Sequence, residues 1–339
     1  MKVLIIGGTG NMSTAITRNL LARGEEAVHF NNDEKRPQEF AGVRTIFGDR
    51  TRHAEFEAAM TGERFDCVID MIGYEPEDAK SDVRAFAGKT GQFIFCSTVD
   101  VYTKPAKRLP VREDEERKPS PAFGYAYKKA ICEAALWEAD ARGDFPLTVI
   151  RPAATYNDAW CPISLLGPGE TFLQRVRLGK PLILLGDGQS IWVSTHRDDV
   201  ARAIANAVGN PKARGRAYNV MGEEFMTWEQ YYLTVAEVMG APKPEFVRIP
   251  ADLLARAIKS ADWCELNFRY NNIFDNSLAR AELGFQYTVT WSEGVRRMVA
   301  YRDARGEIDN ATAFPLYDQT VEAFGRLGAG MVKELAGLG

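Results

Sequence analysis

Six short apolar runs recur through the first 150 residues: Val3 to Ile6, Ala27 to Phe30, Val43 to Ile46, Cys67 to Ile69, Phe93 to Cys96 and Leu147 to Ile150. Each is continuous rather than alternating. A strand that is apolar on consecutive positions has both faces covered, the condition of a parallel sheet flanked by helices. Stretches long enough for crossover helices, such as Asn11 to Arg23 and Glu77 to Gly88, lie between the runs. This order predicts an α/β fold built on a doubly wound parallel sheet.

After Arg151-Pro152 the texture changes. Prolines and glycines crowd residues 153–187, with one helical stretch near Thr171 to Leu178. A helix is expected over His196 to Val208, opened by Thr195 and Asp198 as a capping pair, and a strand at Ala217 to Val220. Residues 227–300 read as helical and amphipathic. The chain is therefore expected to divide into a parallel-sheet domain at 1–153 and 186–222, a smaller, mostly helical lobe at 154–185 and 223–315, and a C-terminal segment at 316–339. The charged run Arg112 to Lys118 reads as a solvated loop.

Composition excludes several classes. Forty-two basic against forty-six acidic residues give a net charge of −4, which disfavours a nucleic-acid binder. No apolar run reaches the length of a membrane span, and the N-terminal run is too short for a secretory signal. Five dispersed cysteines without a CxxC pair fit reduced thiols and a cytoplasmic location. Three scattered histidines give no metal-ligand spacing, so no metal is expected.

The first strand runs into Gly7-Gly8-Thr9-Gly10-Asn11-Met12-Ser13 and then a helix. Gly7 and Gly10 let the backbone turn tightly and approach a pyrophosphate, which the free N–H groups of the helix start would hold. The pattern is GxxGxxS, with Ser13 small enough for close packing. Gly7, Thr9, Gly10, Asn11 and Met12 are thus cofactor-binding candidates in a Rossmann-like domain, with Asn31 at the end of the second strand. Beyond it, Asp33 could hold a ribose, whereas Lys35 or Arg36 could hold a 2′-phosphate; NAD is preferred over NADP. Asp49 is placed either to accept from an adenine amino group or to cap a helix.

Tyr125 and Lys129 form a YxxxK pair, one helical turn apart on a shared face. A lysine ammonium near a phenol stabilises the phenolate, so Tyr125 is expected to have a lowered pKa and to serve as an acid/base. The pair follows the strand Phe93 to Cys96, whose end presents Ser97 and Thr98 toward the same crevice, where open α/β sheets bind ligands.

The glycine loop, Ser97-Thr98-Val99-Asp100-Val101-Tyr102 and Tyr125-x-x-x-Lys129-x-x-x-Glu133 together resemble the extended short-chain dehydrogenase/reductase family, the NAD-dependent epimerase/dehydratase group. Arg151-Pro152, Gly186-Asp187-Gly188 and His196 to Ala201 resemble its later landmarks, so the resemblance spans about residues 1–300. It implies catalytic roles for Thr98, which would hydrogen-bond the substrate, for Tyr125, which would move the proton, and for Lys129, which would hold the nicotinamide ribose. Ser97, Tyr125 and Lys129 would also touch the cofactor. In this family the helices after the fourth and fifth strands often pair in a homodimer.

Two places depart from the sugar-nucleotide members. Ala154 stands where they carry an asparagine, and Trp192 where they carry an arginine, both contacts to a substrate diphosphate. Trp192 could instead stack on a sugar ring. Asp100, Asn157 and Trp192 are the substrate candidates. An atypical branch of the family, which includes chloroplast stem-loop RNA-binding proteins, is similar to this chain at Gly48-Asp49-Arg50 and Cys96 to Tyr102, but tends to lose the tyrosine kept here as Tyr125. The expected function is NAD(P)-dependent oxidation and reduction at a carbinol carbon of a small, sugar-like substrate, with epimerisation by transient oxidation as the leading form. The alternatives are a simple dehydrogenase or reductase of a non-nucleotide substrate and a non-catalytic RNA-binding or cofactor-sensing relative.

Overall fold

The computed structural model describes residues 1–32 and 40–337. Asp33, Lys35 and Arg36, the candidates for discriminating NAD from NADP, lie outside the described residues. Along the chain come β1 (Lys2–Ile6), α1 (Asn11–Ala22), β2 (Glu26–Asn31), β3 (Arg44–Phe47), α2 (His53–Ala59), β4 (Cys67–Asp70), α3 (Pro76–Phe86), β5 (Phe93–Cys96), α4 (Gly124–Arg142), β6 (Leu147–Pro152) and β7 (Ala154–Tyr156). Next are α5 (Gly169–Arg177), β8 (Leu182–Leu185), β9 (Ile191–Trp192), β10 (Ser194–His196), α6 (Arg197–Ala207), β11 (Arg216–Val220), β12 (Met226–Thr227) and α7 (Trp228–Val238). The last are β13 (Phe246–Ile249), α8 (Ala251–Ala257), α9 (Ser277–Leu283), α10 (Trp291–Asp303) and α11 (Pro315–Leu335).

Two compact units divide these elements. The first comprises Met1–Tyr156, Val193–Glu223 and Ile273–Val289. Its seven-stranded sheet has the order β11-β6-β5-β4-β1-β2-β3, and every pairing is parallel. Alternate residues of each strand feed opposite cores. Leu4, Ile6, Val28, Phe30, Val68, Phe93 and Phe95 pack with Phe56, Phe86 and Leu136 of α2, α3 and α4. Val3, Ile5, Cys67, Ile69, Ile94 and Ile150 pack with Ile16, Leu20, Val200, Ile204 and Leu283 of α1, α6 and α9. Burial on both faces explains the continuous apolar runs.

The second unit comprises Asn157–Trp192, Glu224–Asn272 and Thr290–Gly339. It is mostly helical, with the short pairs β8–β13 (parallel) and β9–β12 (antiparallel). Its core is aromatic: Trp228 stacks on Trp192 at 4.9 Å, and Tyr231 stacks on Trp291 at 4.1 Å. A capping box joins Thr227 and Gln230 at the start of α7.

Three details differ from the sequence reading. Residues 273–289 belong to the first unit, because Ala279 and Leu283 of α9 are buried in the α1/α6 core. The stretch 186–192 falls in the second unit, where Trp192 is packed. His196, not Thr195, caps α6: its ring accepts from the Asp198 N–H, while the Thr195 hydroxyl accepts from the Gly222 N–H. Residues 316–335 continue the helix α11, and no described helix is long and apolar enough to cross a membrane.

Candidate active site

The loop from β1 to α1 is shaped for close approach by a ligand. Gly7 has φ +82°, and a Cβ there would meet Ile72 at 2.6 Å. Gly8, which the GxxGxxS pattern leaves unspecified, abuts the His29 ring so closely that a Cβ would overlap it. Among the described residues no side chain caps the start of α1, and no acidic residue occupies its first turn. A helix start of that kind attracts anions. Met12, partly buried, packs against the α1/α6 core. The carbonyl of Asn11 accepts from Arg197, and the Thr9 hydroxyl donates to the amide oxygen of buried Asn31 at 3.5 Å.

Asp49 is exposed, and its carboxylate accepts from the backbone N–H and hydroxyl of Thr51 at 2.9 and 2.7 Å. These hydrogen bonds hold its pKa below the usual value. It fastens the turn before α2, whose N-cap residue is Arg52.

At the carboxyl end of β5 the chain turns sharply. Thr98 caps the 3-10 turn Val99–Val101, its hydroxyl accepting from the Asp100 N–H at 3.1 Å. The same hydroxyl favours the ionised form of the Tyr125 phenol. Lys129, 1% exposed, donates to the Cys96 carbonyl at 2.7 Å. Its ammonium also lies 4.7 Å from the centre of the Tyr74 ring and 4.6 Å from that of Phe95. Thr98, Tyr125 and Lys129 are thus gathered at one strand end. The buried Ser97 hydroxyl has no hydrogen-bond partner among the described residues.

The electrostatics correct one expectation. The Tyr125 phenol has a raised pKa, not a lowered one. Burial of the phenol is the largest cause, Asp100 adds to it, and the Thr98 side chain pulls the other way. Lys129 spends its ammonium on the Cys96 carbonyl and two ring faces. Asp100 itself is paired with Lys104 at 3.3 Å, and only 13% and 12% of the two side chains are exposed. Lys104 and Tyr74 escaped sequence reasoning. The i,i+4 spacing of Asp100 and Lys104 was a signal for the first, whereas nothing in the sequence brings Tyr74 onto Lys129.

The other substrate candidates sit in the second unit. The Asn157 amide oxygen accepts from the Ala159 N–H at 2.8 Å and closes a turn. Trp192 is buried, stacked on Trp228 and edge-on to Phe268, so its ring serves the core. The charged run 112–118 is no simple solvated loop. Glu113 accepts from the Asn219 N–H through its carboxylate and from Arg151 through its carbonyl, and Arg117 pairs with buried Glu133.

The residues present fit a dinucleotide. An uncapped helix start suits a pyrophosphate, the unpartnered Ser97 hydroxyl suits a polar ligand group, and Lys129 is fixed one turn from Tyr125.

Comparison with known proteins agrees with this geometry. The sequence model of the NAD dependent epimerase/dehydratase family matches residues 3–220. The chain is similar to 2'-dehydrokanamycin reductase of Streptomyces kanamyceticus, 27% identical over 278 residues, covering 82% of this chain and 78% of that one. It is also similar to the chloroplast stem-loop binding protein of 41 kDa b of Arabidopsis thaliana, 27% identical over 259 residues, covering 73% of this chain and 65% of that protein. Among solved structures, UDP-glucuronic acid 4-epimerase from Bacillus cereus, in complex with UDP-glucuronic acid and NAD, superposes with a TM-score of 0.70 at 18% identity, covering 90% of this chain and 100% of that one.

Proposed function

The chain belongs to the NAD dependent epimerase/dehydratase family, and from that premise we propose that it uses bound NAD(H) to oxidise or reduce a carbinol carbon of a sugar-like substrate. The observation that carries this reading is the placing of Thr98 at the end of β5, with Lys129, one helical turn from Tyr125, anchored on the Cys96 carbonyl of the same strand. The glycine loop, the start of α1, Ser97 and Lys129 would hold the dinucleotide. When bound, its nicotinamide supplies the hydride acceptor or donor. Tyr125 takes the proton from the substrate hydroxyl in oxidation and returns it in reduction. Thr98, at the end of β5, orients the same substrate oxygen. Lys129 cannot swing away without abandoning the Cys96 carbonyl, so the ribose contact is preorganised.

The similarity to 2'-dehydrokanamycin reductase and the burial of Trp192 where sugar-nucleotide relatives carry a diphosphate-binding arginine support a reductase of a non-nucleotide substrate as the second reading beside epimerisation.

The first experiment is to denature the purified protein and identify any released nucleotide by mass spectrometry. Tightly retained NAD(H) favours the epimerase form; an empty protein that binds NAD(H) or NADP(H) reversibly favours the reductase. With a panel of keto sugars and reduced cofactor, Tyr125→Phe should lower turnover by about 10²- to 10⁴-fold while leaving cofactor binding intact. A protein that binds neither dinucleotide but retains a structured RNA stem-loop overturns the reading.

A further inference from the structure

Residues 71–75, between β4 and α3, run past two parts of the candidate cofactor site. The Ile72 side chain abuts Gly7, and the centre of the Tyr74 ring lies 4.7 Å from the Lys129 ammonium. A buried charge cluster fixes this loop. Asp70, fully buried at the end of β4, accepts from the Ile72 N–H through Oδ1 at 2.8 Å. Asp78, in the first turn of α3, accepts from the Tyr74 and Glu75 N–H groups through Oδ2 at 3.0 and 2.9 Å. Its Oδ1 lies 2.9 Å from Nε2 of His53, at the start of α2. Buried Arg50 joins these parts. Its Nη2 donates to the Asp78 carbonyl at 2.7 Å, pairs with Asp82 of α3 at 2.7 Å and lies 3.8 Å from Asp70. The guanidinium carbon stands 4.2 Å from the centre of the Phe56 ring of α2.

A buried guanidinium beside buried carboxylates is a poor source of stability. The desolvation cost rivals the attraction, and apolar residues of similar volume fill such sites as well or better. What the cluster does supply is one defined geometry, and the groups it orders are backbone N–H groups of the loop. Arg50 also follows directly on Asp49, the exposed candidate for the adenine. We propose that Arg50 is a positioning residue for the cofactor: through Asp70, Asp78 and Asp82 it locks residues 71–75 against the glycine loop on one side and Lys129 on the other. The inference rests on the reading that a dinucleotide occupies the site. A loop that holds its competent arrangement for only a fraction of the time lowers the apparent affinity by that fraction.

The test compares the parent chain with Arg50→Met/Asp82→Leu, which removes the charge pair in favour of apolar side chains, by amide hydrogen exchange and by calorimetric titration with NAD⁺ and NADP⁺. Without ligand, the Ile72, Tyr74 and Glu75 amides should exchange about fivefold faster or more, while those of β4 keep the parent rate. The preferred dinucleotide should bind about tenfold more weakly. Tyr74→Ala should also weaken binding, and the combined variant should lose less than the sum of the two effects. A merely stabilising cluster would speed β4 and the loop alike, and its loss would simply add to that of Tyr74→Ala. Should the apolar pair fail to fold, Asp78→Ala, which keeps Arg50 and both its acceptors on α3, must give the same changes at Tyr74 and Glu75. Parent exchange rates in the loop overturn the proposal, and so does a faster loop that still binds the dinucleotide as the parent does. A parent that binds neither dinucleotide sinks the cofactor reading and the positioning role with it; the exchange rates then still tell whether Arg50 holds the loop.

Discussion

His29 stands on β2 against the glycine loop, with its Nε2 2.8 Å from the Thr17 hydroxyl and only 4% of its surface exposed. Burial lowers its pKa to about 4. An unfolded chain protonates a histidine near pH 6.5, so between that value and about 4 the unfolded state binds more protons than the folded one. The stabilisation is therefore complete above about pH 6.5 and is lost as the pH falls through this window, to the extent of about 3 kcal/mol. Urea midpoints measured from pH 7 to pH 4.5 should fall more steeply for the parent than for His29→Gln. Parallel curves would remove His29 from the acid response. Because Gly8 abuts this ring, protonation should also loosen the glycine loop, which is proposed to hold the cofactor pyrophosphate. The glycine loop and the Tyr125–Lys129 spacing were legible in the sequence because each is local. The sign of the Tyr125 shift was not, because it depends on Asp100 and on the depth of the phenol, neither of which spacing encodes.

At the scale of elements, α4 and β6 are joined by a buried ion pair. Arg151 donates to Glu133 through Nε at 2.9 Å and Nη2 at 2.7 Å, and through Nη1 to the Tyr102 hydroxyl at 2.7 Å. Burial, the largest single influence, lowers the pKa of Arg151, but Glu133 and Tyr102 together outweigh it and the net direction is upward. Tyr102 passes the chain on to the Asn219 amide oxygen of β11. This network holds the turn that carries Thr98 and Asp100 against the sheet. Glu133→Gln leaves a buried, half-compensated guanidinium and should cost about 3–5 kcal/mol, whereas the paired change Glu133→Leu with Arg151→Met should cost much less. A double-mutant cycle on unfolding free energies checks this, and a strictly additive pair would refute it. The strands and helices meeting here were readable from their apolar runs. The role of residues 112–118 was not, since Asn219 and Arg151, which fix Glu113, lie far along the chain and leave no periodic trace.

For the whole molecule, two units were legible from the change of texture after Arg151-Pro152, but the return of residues 273–289 to the first unit was not. An amphipathic helix such as α9 announces that it has a buried face, not which core receives it. The same distinction separates the two halves of α11. Near its start, Tyr317 is buried under the Arg175 guanidinium, its hydroxyl accepts from the Ile183 N–H at 2.7 Å, and Asp318 pairs with Arg175 and Lys180. From residue 329 to 337 every position is exposed, Met331, Val332 and Leu335 among them. Ending the chain after Gly328 should therefore change the unfolding free energy by less than about 0.5 kcal/mol, as surface changes do. Removing one oxygen with Tyr317→Phe strands the buried Ile183 N–H and should cost about 1–3 kcal/mol. Thermal melts of the two variants beside the parent decide the order. If the truncation costs more than the single oxygen, the apolar end of α11 is covered in solution. A concentration-dependent melting temperature of the parent would then identify the cover as a second copy of the chain.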